Sequence, residues 1–218
     1  MDIATLSGDL RKSRKNTATK YREALSDSSS RGREYLAGRG LSEATIRRFG
    51  LGIVDDPEPG DEWFSGHLAI PYLTWCPVRG TTVSTIRYRS LDPEETPKYK
   101  SYKGEKDRLF NVRDLLLDTR FICICEGEID TMSASQCGLP TIGISGAQKW
   151  KPHMARLFRG YQKIYVLQDD DKAGNDFTDS IAKSLGPVTA IRMNGGDVNS
   201  VLVENGEEAI REMVGENV

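Results

Sequence analysis

The chain has 218 residues, of which 38% are hydrophobic, and a formal net charge of −2. This length allows one large domain or two small ones with a buried core. No apolar run approaches the ~20 residues that a membrane-spanning helix needs, and the polar N-terminus lacks the apolar segment of a secretory signal. The four cysteines form no CxxC pair and the two histidines lie far apart, which argues against a disulfide scaffold or zinc in this chain and favours a reducing cytoplasm.

Residues 1–30 are predicted to form a flexible basic leader. Lysines and arginines are mixed there with serine, threonine and asparagine, a composition that is usually soluble and mobile. Residues 21–25 allow one or two amphipathic helical turns before the serine-rich stretch at residues 26–30.

Residues 31–50 have the pattern of a helix, a turn and a second helix. Tyr35 and Leu36 fit an apolar stripe that ends at the turn of residues 38–40, and Ser42 is a candidate N-cap for a helix that ends at Gly50. A short strand at residues 51–54 and a turn-rich loop at residues 55–60 are predicted to follow.

Residues 67–89 are predicted to form an antiparallel meander. Pro71 marks an edge or a bulge in its first strand, and alternation in the second strand places Arg87 and Arg89 on one side. Arginines on an exposed sheet face suit a template or a triphosphate. Basic loops then lead to a helix at residues 112–117, so that residues 79–113 contain nine basic and five acidic side chains. Charge alone favours a solvated surface loop.

Two predicted strands end abruptly in acids. Residues 121–125 are uncharged and have the pattern of a strand buried on both faces, as in parallel sheets, and Glu126 follows them. Residues 163–167 repeat this pattern and lead into three aspartates at residues 169–171. Another strand at residues 141–144 precedes a loop of small residues at 145–147. Because open α/β sheets bind ligands at the carboxyl ends of their strands, these acids stand at a functional position.

Two interpretations of the acidic strand ends compete. Adjacent carboxylates repel one another, and bound cations stabilise their ionised forms, which predicts a magnesium site. Alternatively, Glu126 and Asp171 cap the helices that follow them. Two acidic strand ends in one small sheet favour the metal site.

The charge differs between the two halves of the chain. Residues 1–112 contain 19 basic and 16 acidic residues, a net charge of +3, whereas residues 113–218 contain 11 and 16, a net charge of −5. A basic segment followed by an acidic metal centre suits a phosphodiester substrate.

Several short motifs follow one another in a fixed order. They are YLAGRGL at residues 35–41, RFGLG at 48–52, LAIP at 68–71, PKY at 97–99, LFN at 109–111, EG at 126–127 and DxDxAG at 169–174. Their order and spacing resemble the catalytic core of DnaG-type bacterial and phage primases, whose Toprim signature is similar to the last two motifs. The resemblance runs from about residue 31 to the C-terminus.

The resemblance implies roles for the residues at matching positions. Divalent ions, Mg²⁺ or Mn²⁺, are implied at Glu126, Asp169, Asp171 and Asp197, and Glu126 is also a candidate acid or base. Asp170 stands where the family commonly has glycine and receives no ligand role. Asn199 stands where cellular relatives often have a second aspartate, which favours a phage-like version. The implied nucleotide- and template-binding residues are Arg87, Arg89, Lys98, Lys106 and Arg108.

The resemblance also implies a fold and an activity. The fold is mixed α/β, with an α+β subdomain at residues 31–112, a Toprim α/β sandwich with a mainly parallel sheet at residues 113–218, and an active site in the groove between them. The activity is the synthesis of short RNA primers on single-stranded DNA from ribonucleoside triphosphates, in bacterial or phage-infected cytoplasm. The chain has no zinc-binding module and no GxxxxGK[ST] loop, so the expected partners include a replicative helicase and a separate zinc-binding primase subunit.

Three other functions remain open. A Toprim-type nuclease or topoisomerase fragment would use similar acids for cleavage, although a topoisomerase needs a catalytic tyrosine in an added domain. A non-catalytic, replication-associated nucleic-acid-binding module would use its acids only as helix caps and would need no metal. A small-molecule phosphotransferase is the third. Because both halves of the chain match primase cores, the primase function is favoured.

Overall fold

The computed structural model describes residues 7–26 and 30–216. The chain divides into two compact units, Met1–Gly38 with Glu43–Lys106 and Arg39–Ser42 with Asp107–Val218. The sequence places this division between residues 112 and 113. In the structure it falls between residues 106 and 107, because a strand at Leu109–Phe110 pairs within the sheet of the second unit.

The first unit combines three helices with a four-stranded antiparallel sheet. The helices are α1 (Gly8–Ala24), α2 (Arg31–Gly38) and α3 (Glu43–Phe49), and the strands, in sheet order, are β1 (Gly52–Ile53), β2 (Leu68–Cys76), β3 (Gly80–Arg89) and β4 (Tyr99–Lys100). Pro71 lies beyond the two residues of β2 that pair with β1, and the register of β2 and β3 shifts between Tyr72 and Leu73. The predicted helix pair, meander and bulge are therefore confirmed.

Helix α1 shows that the predicted flexible leader is wrong where the structure describes it. The helix buries Arg14, Ala18 and Tyr21, and Arg14 forms an ion pair with Glu105 and donates to the carbonyl oxygen of Ser84. An arginine that is neutralised and packed in this way behaves as a buried residue although its sequence context is polar. Residues 1–6 and 27–29 of the predicted leader lie outside the described residues.

The core of the first unit contains a polar network of tyrosines. Phe64 stacks on Tyr88 with the ring centroids 3.8 Å apart. The hydroxyls of Tyr21, Tyr102 and Tyr88 lie 2.7, 3.1 and 3.3 Å from Oδ2 of the buried Asp61, and those of Tyr88 and Tyr102 are 2.6 Å apart. Because a phenol has one hydrogen, Tyr21 donates to Asp61, one of the other two donates to its neighbour, and that neighbour donates to Asp61. Since buried polar groups must be hydrogen-bonded, the three phenols and this carboxylate satisfy one another within a single network.

The second unit is a five-stranded sheet with helices. In sheet order its strands are β5 (Leu109–Phe110), β7 (Thr141–Ile144), β6 (Phe121–Cys125), β8 (Lys163–Asp169) and β9 (Thr189–Met193). Only the edge strand β5 is antiparallel to its neighbour. The helices are α4 (Glu128–Gln136), α5 (Lys172–Leu185) and α6 (Val198–Val214), and short 3-10 helices span Glu62–Phe64 in the first unit and Val112–Leu116, Ala147–Lys149 and Pro152–Phe158 in the second. The predicted mixed α/β fold with a mainly parallel sheet is confirmed.

The strands of this sheet form where the sequence is continuously apolar. All five residues of β6 are buried, and Ile122 and Ile124 pack with Phe158 and Phe177 in one hydrophobic cluster. The four cysteines are free thiols. In the part of the chain that is described, no helix is long and apolar enough to cross a membrane.

Candidate metal centre

Five carboxylates lie on segments that follow the strands at one edge of the parallel sheet. Three strands supply them, because the carboxyl ends of parallel strands meet at the same edge. Glu126 follows β6, Asp130 lies in the first turn of α4, Asp169 ends β8, Asp171 precedes α5, and Asp197 precedes α6.

The carboxylate of Asp169 is affected by the charges of all four other acids in this group. Burial raises its pKa to about 8, together with the charges of the other four acids, Asp130, Glu126, Asp197 and Asp171. Its Oδ1 is buried and accepts no hydrogen bond from any described residue. A buried carboxylate oxygen without a donor is costly, and a bound cation would satisfy it.

Asp130 belongs to the group although the sequence did not assign it a role. It is 9% exposed, and burial and the charge of Asp197 raise its pKa to about 6. The backbone N–H of Asn199 donates to its Oδ1 at 3.1 Å. The available signal was its position four residues after Glu126, inside the helix that begins at Glu128.

Two of the predicted ligands cap helices and also belong to the acidic group. Asp171 is the N-cap of α5 and accepts from the backbone N–H of Gly174 at 2.7 Å, and Asp197 is the N-cap of α6 and accepts from Ser200 N–H at 2.7 Å. Each cap bond uses Oδ1 alone. Glu126 does not cap α4, because Gly127 occupies the N-cap position.

Asp170 joins the end of β8 to the loop before α6. Its Oδ2 accepts from the N–H of Gly195 at 3.1 Å, and its own N–H donates to the carbonyl oxygen of Gly196 at 2.9 Å. These bonds give the side chain a structural role at a position where the resemblance assigned no ligand.

The donor chemistry of the group fits a hard divalent cation. Across residues 7–26 and 30–216, no three His, Cys, Asp or Glu side chains converge closely enough to hold a metal ion as they stand. Ionised carboxylates repel one another, and all-oxygen donors are those that Mg²⁺ and Mn²⁺ prefer. The partnerless Oδ1 of Asp169, within this negative field, therefore marks a candidate metal centre.

Comparisons with known proteins agree with this geometry. A family model described as Toprim-like matches residues 123–202, which include all five carboxylates. The Gene 57 protein of Mycobacterium phage D29 is 45% identical over 152 residues, which cover 69% of this chain and 99% of that protein. A DNA primase of Clostridium acetobutylicum is 24% identical over 226 residues, covering 86% of this chain and 38% of the primase.

Solved structures have the same fold. The RNA polymerase domain of Mycobacterium tuberculosis primase DnaG has a TM-score of 0.76 at 20% identity, covering 97% of this chain and 84% of that chain. The DnaG primase catalytic domain bound to single-stranded DNA has a TM-score of 0.71 at 20% identity, covering 94% and 77%. The chain belongs to the same family as the Gene 57 protein of Mycobacterium phage D29, and its likeness to DNA primases in sequence and to DnaG catalytic cores in fold supports a DnaG-type primase core. It spans a little over one-third of the length of the curated DNA primases that it matches, and its Toprim fold is one that generally binds divalent metal ions.

The basic residues that the sequence assigned to nucleotide and template binding fall in both units. Arg87, Arg89, Lys98 and Lys106 lie in the first unit and Arg108 in the second. Arg87 and Arg89 both lie over the ring of Tyr99, with Cζ at 4.5 and 4.8 Å from its centroid.

Arg89 is held by aromatic rings and hydroxyls. Its Cζ is also 5.4 Å from the centroid of Tyr35, and its Nη1 donates to the Tyr99 hydroxyl. Burial lowers the pKa of Arg89, but the phenols of Tyr99 and Tyr35 outweigh this effect and raise it. The guanidinium is therefore fixed by aromatic rings and a phenol hydroxyl. Because these groups do not neutralise its positive charge, it can still bind an anion.

Proposed function

We propose that this chain is the catalytic core of a DNA primase that synthesises short RNA primers on single-stranded DNA by metal-dependent nucleotidyl transfer. We place this activity in phage replication, in the cytoplasm of an infected cell. The observation that carries the proposal is the partnerless Oδ1 of Asp169 within a group of five carboxylates, on the fold of a primase core.

The acidic residues would hold the metal ions. Glu126, Asp169, Asp171 and Asp197 are the proposed ligands of Mg²⁺ or Mn²⁺, and the cap bonds of Asp171 and Asp197 leave their second carboxylate oxygens for this purpose. Bound divalent ions neutralise a triphosphate, lower the pKa of a ribose 3′-hydroxyl and stabilise the oxygen of the leaving pyrophosphate. Glu126 is also a candidate acid or base for the transferred proton.

The basic residues would bind the other reactants. Guanidinium groups bind phosphate oxygens in a bidentate manner, so Arg87 and Arg89, which the ring of Tyr99 fixes, are suited to a triphosphate or a template phosphate. The remaining proposed contacts are Lys98, Lys106 and Arg108. A replicative helicase and a separate zinc-binding primase subunit are the proposed protein partners.

The test is incorporation of labelled ribonucleotides on single-stranded DNA with Mg²⁺ or Mn²⁺. Wild type should make short RNA products that require the metal, and Asp169→Ala and Glu126→Ala should reduce them by at least about a hundredfold, since removal of one electrostatic group in an active site costs this much. Asp176→Ala is the matched control, because Asp176 is an exposed acid on α5 and its loss should leave synthesis unchanged.

The products distinguish the remaining functions. Metal-dependent cleavage of the DNA without synthesis would replace the proposal with a nuclease. Binding of DNA that is indifferent to metal and to Asp169→Ala, with no synthesis on a pre-annealed primer in Mn²⁺, would indicate a non-catalytic binding module.

A further inference from the structure

The side chain of Asn199 connects α6 with α4 and with the segment Arg39–Ser42 in the second unit. Asn199 is 1% exposed and is the second residue of α6, two residues after Asp197. Its Nδ2 donates to the carbonyl oxygen of Arg39 at 2.8 Å and to Oγ of Ser133 at 2.9 Å. Its Oδ1 accepts from Nη1 of Arg39 at 3.2 Å, and its backbone N–H donates to Asp130.

These bonds use the amide in only one orientation and exclude a carboxylate. The hydroxyl hydrogen of Ser133 is already donated to the carbonyl oxygen of Ile129 at 2.9 Å, so Ser133 Oγ can only accept from residue 199. The carbonyl oxygen of Arg39 is also an acceptor. An aspartate at position 199 would therefore place an oxygen against two acceptors while burying an additional negative charge.

The segment that Asn199 holds has further anchors. Gln136 donates from Nε2 to the carbonyl oxygen of Gly40 at 2.9 Å and accepts from the backbone N–H of Ser42 at 2.8 Å. These bonds fix the backbone of Arg39–Ser42 on α4, and Asn199 adds the contact that fixes both the backbone and the guanidinium of Arg39.

Arg39 is thereby kept near the acidic group. Its positive charge acts on Asp130 and opposes the rise in the pKa of that acid. Asn199 is bonded to both residues, so it sets where this cation lies relative to this carboxylate.

We propose that Asn199 is a positioning residue of the metal centre, whose amide holds Arg39 beside Asp130 and cannot be replaced by a carboxylate. Arg39 then offsets the charge of Asp130, and the other four acids remain to bind metal ions. The consequence for catalysis rests on the proposed function, whereas the positioning itself is a property of the metal-free protein.

The first test is amide hydrogen exchange of the metal-free full chain. In Asn199→Asp, release of the Arg39–Ser42 segment should accelerate hydrogen exchange of the Ser42 amide by about tenfold. A buried polar group that loses its partner destabilises the closed state by enough free energy to change the opening equilibrium by about this factor or more. Asn199→Ala should accelerate it less, since it removes the bonds without adding repulsion. Asn205→Asp, which adds the same charge at an exposed position of α6, should leave exchange unchanged.

The second test separates positioning from ligand loss. Mn²⁺ affinity, measured by calorimetry, should not weaken in Asn199→Asp, because the variant adds negative charge to the centre. Ribonucleotide incorporation should nevertheless fall by about tenfold or more, as expected when a catalytic group is misplaced. In an Arg39→Ala background, Asn199→Ala should cause little further loss.

Three outcomes would contradict the proposal. Weaker Mn²⁺ affinity in Asn199→Asp would indicate that the variant damages the ligands and does not merely misplace Arg39. Unchanged exchange at Ser42 in Asn199→Asp would overturn the positioning role, as would losses from Asn199→Ala and Arg39→Ala that add in full. If wild type makes no RNA at all, the proposed function fails, while the exchange and Mn²⁺ measurements still decide the role of Asn199.

Discussion

The carbonyl oxygen of Asp169 lies 2.3 Å from the point where a Cβ atom on residue 174 would stand, so Gly174 allows the first turn of α5 to pack directly on the end of β8. The atoms that a methyl group would meet belong to the backbone of Asp169, and they cannot move aside as a flexible side chain could. Close approach of two backbones is a main reason for a glycine inside a helix.

Gly174→Ala should therefore destabilise the protein by about 1–3 kcal/mol, the usual cost of overpacking, even though alanine is intrinsically the better helix former by up to about 1 kcal/mol. Chemical denaturation measures this cost. Gly160→Ala is the control, since no atom lies within 4 Å of its added Cβ, and it should change stability by no more than about 0.5 kcal/mol. Equal stability of the two variants would contradict the tight packing at Asp169.

The raised pKa of Asp169 predicts how stability depends on pH in the absence of metal. The folded pKa of about 8 exceeds the ordinary value of 3.8, so the folded protein binds more protons than the unfolded chain between these values. Stability should therefore fall as the pH rises from about 4 to about 8. Thermal unfolding of metal-free protein across this range should show a decreasing Tm.

Asp169→Asn tests whether this residue causes the decrease. The variant should lose less stability than wild type as the pH rises, because its side chain does not ionise. Added Mg²⁺ at pH 8 should raise the Tm of wild type and raise that of the variant much less. Asp176→Asn should behave as wild type in both respects. A variant that keeps the full response to Mg²⁺ would exclude Asp169 as a ligand.

The parts of the fold that the sequence predicted well are those in which the signal is local. Residues 121–125 and 163–167 are apolar runs that end in acids, and parallel topology then places Glu126 and Asp169 at one edge of the sheet. The resemblance to primase cores extended this assignment to Asp171 and Asp197.

The features that the sequence missed depend on distant partners. Arg14 is buried because its guanidinium donates to the carbonyl oxygen of Ser84 and to the carboxylate of Glu105, which lie 70 and 91 residues later in the chain. The polar composition of α1 therefore gave no sign that one face of this helix is packed against the sheet. Asp130 joins the acidic group through packing of α4 on α6, which brings Asn199 within hydrogen-bond distance from 69 residues away. No periodicity in a single segment carries this information.

The tyrosine network around Asp61 should contribute to folding of the first unit and not to metal binding. Asp61→Ala removes the carboxylate around which the buried hydroxyls of Tyr21 and Tyr88 and the partly buried hydroxyl of Tyr102 gather. Burial raises the pKa of Tyr102 to about 12, so this phenol remains protonated and needs an acceptor. The expected loss of stability is about 2 kcal/mol or more, measured by denaturation. Asp55→Ala, at an exposed position, should have almost no effect.

The stabilisation by Mg²⁺ at pH 8 gives a second readout for this variant. If Asp61 acts only within its own unit, the increase in Tm on adding Mg²⁺ should persist in Asp61→Ala under conditions where the variant is folded. Loss of that response in a folded variant would show that the network also affects the metal centre.

The two tyrosine rings at Arg89 predict that lysine cannot replace this residue. A planar guanidinium can stack on Tyr99 and Tyr35 and still direct N–H groups at a phosphate, whereas a lysine ammonium cannot maintain both sets of contacts. Arg89→Lys should therefore weaken binding of ribonucleoside triphosphate or single-stranded DNA by about tenfold, the factor that corresponds to losing one charge-assisted hydrogen bond. Fluorescence anisotropy with labelled nucleotide and labelled DNA measures the two affinities separately.

Arg79→Lys, at an exposed position, is the matched control for Arg89→Lys. Tyr99→Phe should have an intermediate effect, because it keeps the ring and removes the hydroxyl. An Arg89→Lys variant that binds both ligands as tightly as wild type would show that the guanidinium is packed for stability and does not contact the substrate.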